Sequence, residues 1–432
     1  MSACSPGPSM PPGIVLYSDC PVFGGSEFLV AQLLSDVGIG EEFSPHLVYR
    51  KTSRYEAGLR RRVPPGAPRT AVSFPERDEW LEALFKRVPR RSAQLPFKLL
   101  FRLADMALFP VEIVWLRHVF RQLKPALVHI HSGGYPGALG CRAAAVAARL
   151  AGAKRVVFTF NNIARPVRLP WDVFDVFIDR LVAHACDVFV TASKAAEAAF
   201  VARGFSPGRV RRILNGVSSA GGTRDAGEVR REFGLGPALT VVVLTAFFER
   251  RKGHRVLLAA LDLLSKEPGF LREAAFILVG DGPELESVRH EAAALSLPCP
   301  VLFPGYRSDA RDILAAADAM VLPSIAGEDM PLAVLDAMAL GKPVVASSLS
   351  GIPEQIEHGR TGLLVPPGDA SGLSQALKRL LSDPGERRSM GRAGLERFKE
   401  YFTAEKAVSR YKELYRGLLT QEERVHAQAS AG

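Results

Sequence analysis

The sequence predicts an α/β protein of two doubly wound parallel-sheet domains, and three observations carry that prediction. A chain of 432 residues exceeds what one ordinary hydrophobic core organises, so two domains are expected. Short β-branched or apolar runs alternate with helical patterns, as parallel strands joined by crossover helices do. The alternation lapses once, at residues 215–227, NGVSSAGGTRDAG, where turn formers replace apolar residues and mark an interdomain connection.

The first series predicts strands over residues 13–18, 126–130, 155–160, 187–191 and 211–214, with helices such as 27–37 and 193–203 between them. The second predicts strands over 239–246, 275–279, 301–303, 319–322, 343–346 and 362–365, followed by helices over 371–381, 385–399 and 404–419. The domains are therefore expected at 1–217 and 218–403. In open sheets of this type ligands gather beyond the carboxyl ends of the strands, and two such domains face to face make a cleft.

Composition excludes several classes. The apolar fraction of 47% and charged fraction of 23% are those of a globular protein rather than a disordered or fibrous one. The five cysteines, Cys4, Cys20, Cys141, Cys186 and Cys299, show neither CxxC pairing nor a zinc rhythm, which argues for a reducing compartment. The first dozen residues, rich in Ser, Gly and Pro, lack the pattern of a signal peptide, so a cytoplasmic protein with a disordered start is expected. The longest apolar stretch, 106–116, is interrupted by Pro110 and Glu112 and falls short of the ~20 residues that span a bilayer.

The formal charge of +10 is uneven: residues 50–124 hold 17 Lys or Arg against 7 Asp or Glu. Such a stretch fits acidic lipid headgroups or an anionic acceptor, or else a solvated basic region. Nucleic acid is disfavoured, because no helix-turn-helix, zinc or aromatic-interleaved basic motif accompanies the charge.

Chemistry concentrates after particular strands. Gly24-Gly25-Ser26-Glu27 follows the first, so unpaired amides at a helix start favour an anion; the bland reading is a tight turn capped by Ser26. Glu249-Arg250-Arg251-Lys252-Gly253-His254 follows the first strand of the second half and leads into a helix. Cations oppose the dipole there unless an anion lies between them and the exposed amides, so a diphosphate is expected with Lys252 its principal partner, while a solvated basic turn stays the alternative for Arg250, Arg251 and Arg255. In the segment 323–331, PSIAGEDMP, Pro331 suits a first helical turn and the loop before it carries Glu328 and Asp329. Asp336 then stands in an otherwise apolar helix, where a hydrogen-bond donor must reach it: sugar hydroxyls, or a nearby backbone amide.

Glu328 and Asp336, two acidic residues with seven between them, together with Asn215-Gly216-Val217, Gly280-Asp281-Gly282-Pro283, Phe303-Pro304-Gly305-Tyr306 and Ser350-Gly351-Ile352-Pro353-Glu354, resemble the motifs of the family-4 retaining glycosyltransferases with the GT-B fold. The resemblance spans nearly the whole chain and is densest in its C-terminal half. It implies two Rossmann-like domains facing a central cleft, an N-terminal acceptor domain and a C-terminal donor domain, with the last helix, about 404–432, packing back on the first. Glu328 would bind hydroxyls of the transferred sugar, Asp336 the nucleotide ribose, Lys252 with Arg250 and Arg251 the diphosphate, and the loop around Tyr306 and Arg307 the base. Gly24, Gly25, Gly280, Asp329, Met330, Pro331 and Leu332 would complete the donor site.

Three departures from the family pattern stand out. Asp336 replaces the usual glutamate, Phe247 replaces an arginine of the phosphate clamp, and Asn161 replaces a histidine after the strand VVFTF. Asn161 still donates and accepts hydrogen bonds. His129 and His131 face one side of the preceding strand by alternation; a core role suits His129, and His131 stays open between core and catalytic roles.

The chain contains no Asp-x-Asp, so the charge that develops on a departing diphosphate falls to Lys252, neighbouring arginines and helix amides, with no metal cofactor expected. The expected partners are a nucleotide diphosphate sugar and a glycan or lipid-linked acceptor, with peripheral contact between residues 50–124 and an anionic membrane at the inner face of the cell. The rivals are a sugar-nucleotide epimerase or phosphorylase on the same scaffold, or a donor-binding protein without catalysis. A nicotinamide oxidoreductase is disfavoured by the missing glycine fingerprint.

Overall fold

A computed structural model describes residues 11–73, 95–169, 172–267 and 269–429, without the side chains of 26, 95–102 and 421–429. The expected disordered start and part of the basic stretch, 74–94, lie outside these residues. The chain divides into two compact units: residues 1–191, 197–213 and 408–432, and residues 192–196 and 214–407.

The first unit is built on β1 (Gly13–Ser18), β2 (Ser44–Arg50), β3 (Arg69–Val72), β4 (Leu127–Ser132), β5 (Arg155–Phe160), β6 (Val188–Thr191) and β7 (Val210–Arg212). All pair in parallel, in the order β3-β2-β1-β4-β5-β6-β7. Strands β2 and β3 were not foreseen. β2 opens on Ser44, Pro45 and His46, which dilute its apolar signal, and β3 has four residues at the sheet edge with one buried side chain.

The second unit holds β8 (Thr240–Thr245), β9 (Ala274–Val279), β10 (Val301–Gly305), β11 (Ala319–Leu322), β12 (Val344–Ser347) and β13 (Gly362–Val365), again parallel, in the order β10-β9-β8-β11-β12-β13. These six strands were legible because most are buried on both faces and read as continuous apolar runs.

Both sheets are covered on two sides by helices. In the first unit one face packs Val128, Ile130, Phe158 and Phe189 against the alanine-rich helix Leu139–Leu150. The other gathers Leu16, Leu47 and Val157 with Val408, Tyr411 and Tyr415 of the last helix, Ala404–Ala429. Their spacing of three and four residues lays that helix along the sheet. His129 is fully buried there, bonded through Nδ1 to the Tyr415 hydroxyl at 2.6 Å and through Nε2 to Thr159 Oγ1 at 2.7 Å, so the core role expected of it is the one it has. Among the described residues no helix is long and apolar enough to cross a membrane.

In each sheet the strand order reverses beside the first strand, between β1 and β4 and between β8 and β11. Crossovers on either side of such a point diverge, and the loops at its carboxyl end leave room for a ligand.

Tyr415→Phe leaves His129 Nδ1 unpaired in a dry interior, and a loss of about 1–3 kcal/mol is expected in chemical denaturation of the first unit. A midpoint unchanged from the parent would show that this bond does not fasten the helix.

Candidate functional site

The second unit assembles its polar residues at the β8/β11 switch point. After β8 the chain runs through Phe247 and Phe248 into a turn at Arg250–Lys252, and Gly253 then starts the helix His254–Ser265. Gly253 has φ +72°, and a Cβ there would stand 1.8 Å from the carbonyl oxygen of Pro323. Only glycine lets these two backbones meet. Ile325 N–H donates to Arg251 O at 2.7 Å, so the loop after β11 is sewn to the loop after β8.

The loop after β9 closes on the same strand end. Phe248 N–H donates to Asp281 O at 2.8 Å and Glu284 N–H to Phe248 O at 3.0 Å. Gly280, with φ +150°, lies where a Cβ would be 1.9 Å from Ala246 O. The Gly280-Asp281-Gly282 motif thus has a packing reason before any ligand is considered.

Lys252 Nζ donates to Glu328 Oε1 at 2.5 Å, and Ser324 Oγ donates to the same oxygen at 2.7 Å. The side chains are 14% and 6% exposed, so this is a nearly buried ion pair whose acceptor is doubly bonded. Arg251 pairs with Glu249 at 2.6 Å, donates to Gly327 O at 2.5 Å and comes within 3.8 Å of Glu328. Arg250 is exposed, as is Phe247 at 54%.

Beside this pair two helices begin without a side-chain cap, His254–Ser265 at Gly253 and Leu332–Ala339 at Pro331. Pro331 caps the second helix rather than opening its first turn, and Leu332 is the first helical residue. Helix N-termini carry unsatisfied amides and a partial positive charge. Met330 is buried, and its carbonyl accepts from Asn215 Nδ2 at 3.0 Å, which gives the Asn215-Gly216-Val217 motif a local task.

Asp329 is 2% exposed, with Oδ2 3.3 Å from the Ala192 N–H. Burial pushes its carboxyl up to about 6, against the pull of Ser193 and of that amide. Glu354 accepts from the Lys194 and Ala195 amides at 2.8 and 3.4 Å.

Asp336 has a donor, and it is neither of the two foreseen: Arg311 reaches its Oδ1 while also donating to Ser218 O and Ala220 O at 2.7 Å. Burial raises the Asp336 carboxyl to about 6 against the pull of Arg311. Arg311 was not singled out in the sequence. Its partner is 25 residues away in sequence, on another helix, and the only local signal is a cation near the start of a short helix.

Tyr306 presents its ring to solvent, 65% exposed. Arg307 is bound into a network with Glu232 at 2.6 Å and Asp309 at 2.7 Å, to which Arg224 also belongs. A cavity of about 460 Å³ lies beside the start of the helix His254–Ser265, lined by Arg250, Gly253, His254, Arg255 and Ile325 among others. Lys252 and Glu328 do not line it.

In the first unit, Gly24 caps the helix Gly25–Ser35 with no side-chain bond, where the bland reading had Ser26 as cap. His131, at the end of β4, is fully buried 3.9 Å from the His129 ring, centroid to centroid, and burial pushes its imidazole down to about 3. Neither ring nitrogen has a hydrogen-bond partner among the described residues. Asn161 is half-buried, its Nδ2 3.4 Å from Ser132 O. A second cavity, of about 450 Å³, is lined by Gly134, Tyr135, Arg142, Asn162, Arg165 and Asp175 among others, and touches neither His131 nor Asn161.

Two family models match the chain, one described as Glycosyltransferase Family 4 over residues 64–220 and one as Glycosyl transferases group 1 over residues 238–383. The chain is 33% identical over 196 residues to N-acetyl-alpha-D-glucosaminyl L-malate synthase of Bacillus anthracis, covering 45% of this chain and 50% of that protein. It is 31% identical over 265 residues to a GDP-mannose-dependent alpha-(1-6)-phosphatidylinositol monomannoside mannosyltransferase of Mycobacterium tuberculosis, covering 58% of this chain and 66% of that one. This chain spans about half the length of the curated relatives it matches. Among solved structures, Anabaena HepE in complex with UDP-glucose superposes with TM-score 0.72 at 18% identity, covering 94% of this chain and all of that one.

Asp329 offers a test by pH. Its folded carboxyl titrates near 6 and an unfolded one near 4, so the folded state holds the extra proton between them and stability falls as pH rises through that window. Asp329→Asn should gain on the parent by on the order of 2 kcal/mol from pH 4 to pH 7 in denaturant titrations. A difference independent of pH would contradict the raised value.

Proposed function

We propose, for a chain that belongs to the family-4 group of glycosyltransferases with the GT-B fold, that it transfers a sugar from a nucleotide diphosphate donor to a hydroxyl of a glycan or lipid-linked acceptor. One observation carries this reading: Lys252 and Glu328, from the loops after β8 and β11, stand together at the switch point beside two uncapped helix starts. Diphosphate and sugar are adjacent parts of the donor, so the groups that hold them must be adjacent too. The GDP-mannose dependence in the mycobacterial relative's name and the UDP-glucose bound to the Anabaena protein support a donor of this class.

In this reading Lys252, with Arg250, Arg251 and the first amides of the helices His254–Ser265 and Leu332–Ala339, receives the negative charge that develops as the anomeric carbon–oxygen bond breaks. Glu328 orients hydroxyls of the transferred sugar. Asp336 keeps Arg311 on Oδ1 and offers Oδ2 to the ribose, and the exposed Tyr306 ring meets the base. The acceptor hydroxyl attacks on the face the diphosphate leaves and its proton passes to the departing phosphate oxygen, so configuration is retained without a protein nucleophile. His131 is neutral at physiological pH, which suits it to positioning rather than proton transfer. No metal ion takes part. The reaction belongs in the cytoplasm, in the building of cell-surface polysaccharide or glycolipid.

Phe247 and Asn161 favour a second reading, a protein that binds the donor and does not turn it over. The two separate in one assay, release of free nucleotide diphosphate from a panel of sugar nucleotides with lipid and glycan acceptors. Lys252→Ala is expected to lower kcat/KM by roughly 10²–10³ and Glu328→Ala comparably, with no loss on chelation of divalent ions. Full activity in both variants refutes the site. Donor binding without product from any acceptor selects the second reading, and turnover without acceptor or dependent on phosphate selects an epimerase or a phosphorylase.

A further inference from the structure

The first unit carries an apolar, basic surface outside the residues assigned above to the donor. Three helices lie side by side on one face of its sheet: Leu95–Leu123, Leu139–Leu150 and Val173–Ala185. The middle one is rich in alanine and is buried from Leu139 to Ala148 apart from half-buried Val146. Its small side chains let the outer two close over it, and Phe109 meets Phe174 edge-on with ring centroids 6.3 Å apart.

Outside that closure the helices turn large apolar residues to solvent. Leu103, Met106, Val111, Val114 and Trp115 are 38–67% exposed on the first, and Leu169, Val173 and Phe177 are 56–68% exposed at and before the third. These are eight of the fifteen large hydrophobic residues exposed among the described residues, so the exposure is concentrated here. On the first helix Leu103, Ala107, Pro110 and Val114 recur at helical spacing along a line about 18 Å long from 103 to 115. The inward face of the same helix supplies Phe109, Leu116 and Phe120 to the core. A helix with apolar residues on both sides is not a surface helix facing water alone.

The charges around this face are sorted by sign. Among the described residues from 103 to 184, the exposed ionic side chains are Arg121, Lys124, Lys154, Arg165, Arg168 and Arg180, all basic. The carboxylates are turned inward: Asp172, Asp175 and Asp179 are buried, and Asp105 and Glu112 are half-buried. Arg142 holds Asp175 at 2.7 Å, Arg203 holds Asp179 at 2.7 Å and Arg165 holds Asp172 at 3.1 Å, so three acidic charges are neutralised at or beneath the surface, and Arg121, Lys124, Lys154, Arg168 and Arg180 carry the excess.

We propose that this face docks on an anionic phospholipid bilayer, the helix Leu95–Leu123 lying in the interfacial plane. An apolar stripe flanked by Lys and Arg buries its side chains at the acyl boundary while the cations meet phosphate headgroups, and a half-exposed tryptophan belongs at that depth. A second copy of the chain fits less well, because a two-fold contact through this face sets Arg against Arg. The inference does not rest on the donor reading, since membrane binding needs neither nucleotide nor turnover.

The test is flotation of the full chain with phosphatidylcholine vesicles, with and without phosphatidylglycerol, beside Val114→Glu and Phe177→Glu. Binding is expected only to the anionic vesicles, weakening as salt rises, and reduced on the order of tenfold or more by either substitution. In a Trp80→Phe, Trp171→Phe variant, which keeps Trp115 alone, brominated acyl chains should quench the tryptophan emission of the bound protein. Nucleotide binding by calorimetry should be unchanged in both glutamate variants, which shows them folded and keeps this question separate from the donor site. No flotation at low salt, equal flotation of parent and variants, or a dimer in sedimentation that Val114→Glu dissociates would each overturn the proposal.

Discussion

A lysine and a glutamate 76 residues apart in sequence share one nearly buried ion pair, Lys252–Glu328, and the second unit is organised around that contact. Taking both charges out of water is unfavourable unless geometry and further hydrogen bonds compensate. Here Ser324 supplies one such bond, while backbone contacts supply the geometry: Ile325 to Arg251, Phe248 to Asp281, Gly253 against Pro323, Gly280 against Ala246. Three loops from three strands are thereby fixed as one rim. A side chain bulkier than hydrogen at either glycine would separate the loops and move lysine from glutamate.

The fold was legible where strands are buried on both faces, since β8, β9, β11 and β12 read as unbroken apolar runs. It was illegible at β2 and β3, which belong to the edge of their sheet and carry polar residues that a pattern search assigns to loops. The site divides in the same way. Lys252 and Glu328 could be picked out because each follows a strand and precedes a helix, the place where an α/β sheet keeps its ligand-facing residues. Arg311, Ser324 and the partners of Arg307 could not, because what makes each of them matter is a neighbour that sequence spacing does not bring near.

His129 and His131 show how far two identical residues on one strand face can diverge. The first is bonded on both ring nitrogens and belongs to the packing of the last helix. The second, one pleat further toward the carboxyl end, is equally buried and has neither bond. Alternation placed both correctly on one side of the sheet, yet the difference between them comes from Tyr415 and Thr159, on other elements. In the same unit, Asp175 and Asp179 are drawn inward by Arg142 and Arg203, and the surface left behind is basic.

The most direct measurement is a structure of the chain soaked with uridine or guanosine diphosphate. The account predicts the terminal phosphate within hydrogen-bond distance of Lys252 Nζ and the first amides of the helix His254–Ser265 or Leu332–Ala339, with the carboxylate of Glu328 turned toward the space beyond the phosphate where a sugar would sit. A nucleotide bound elsewhere, with the bridge between Lys252 and Glu328 undisturbed, would contradict it.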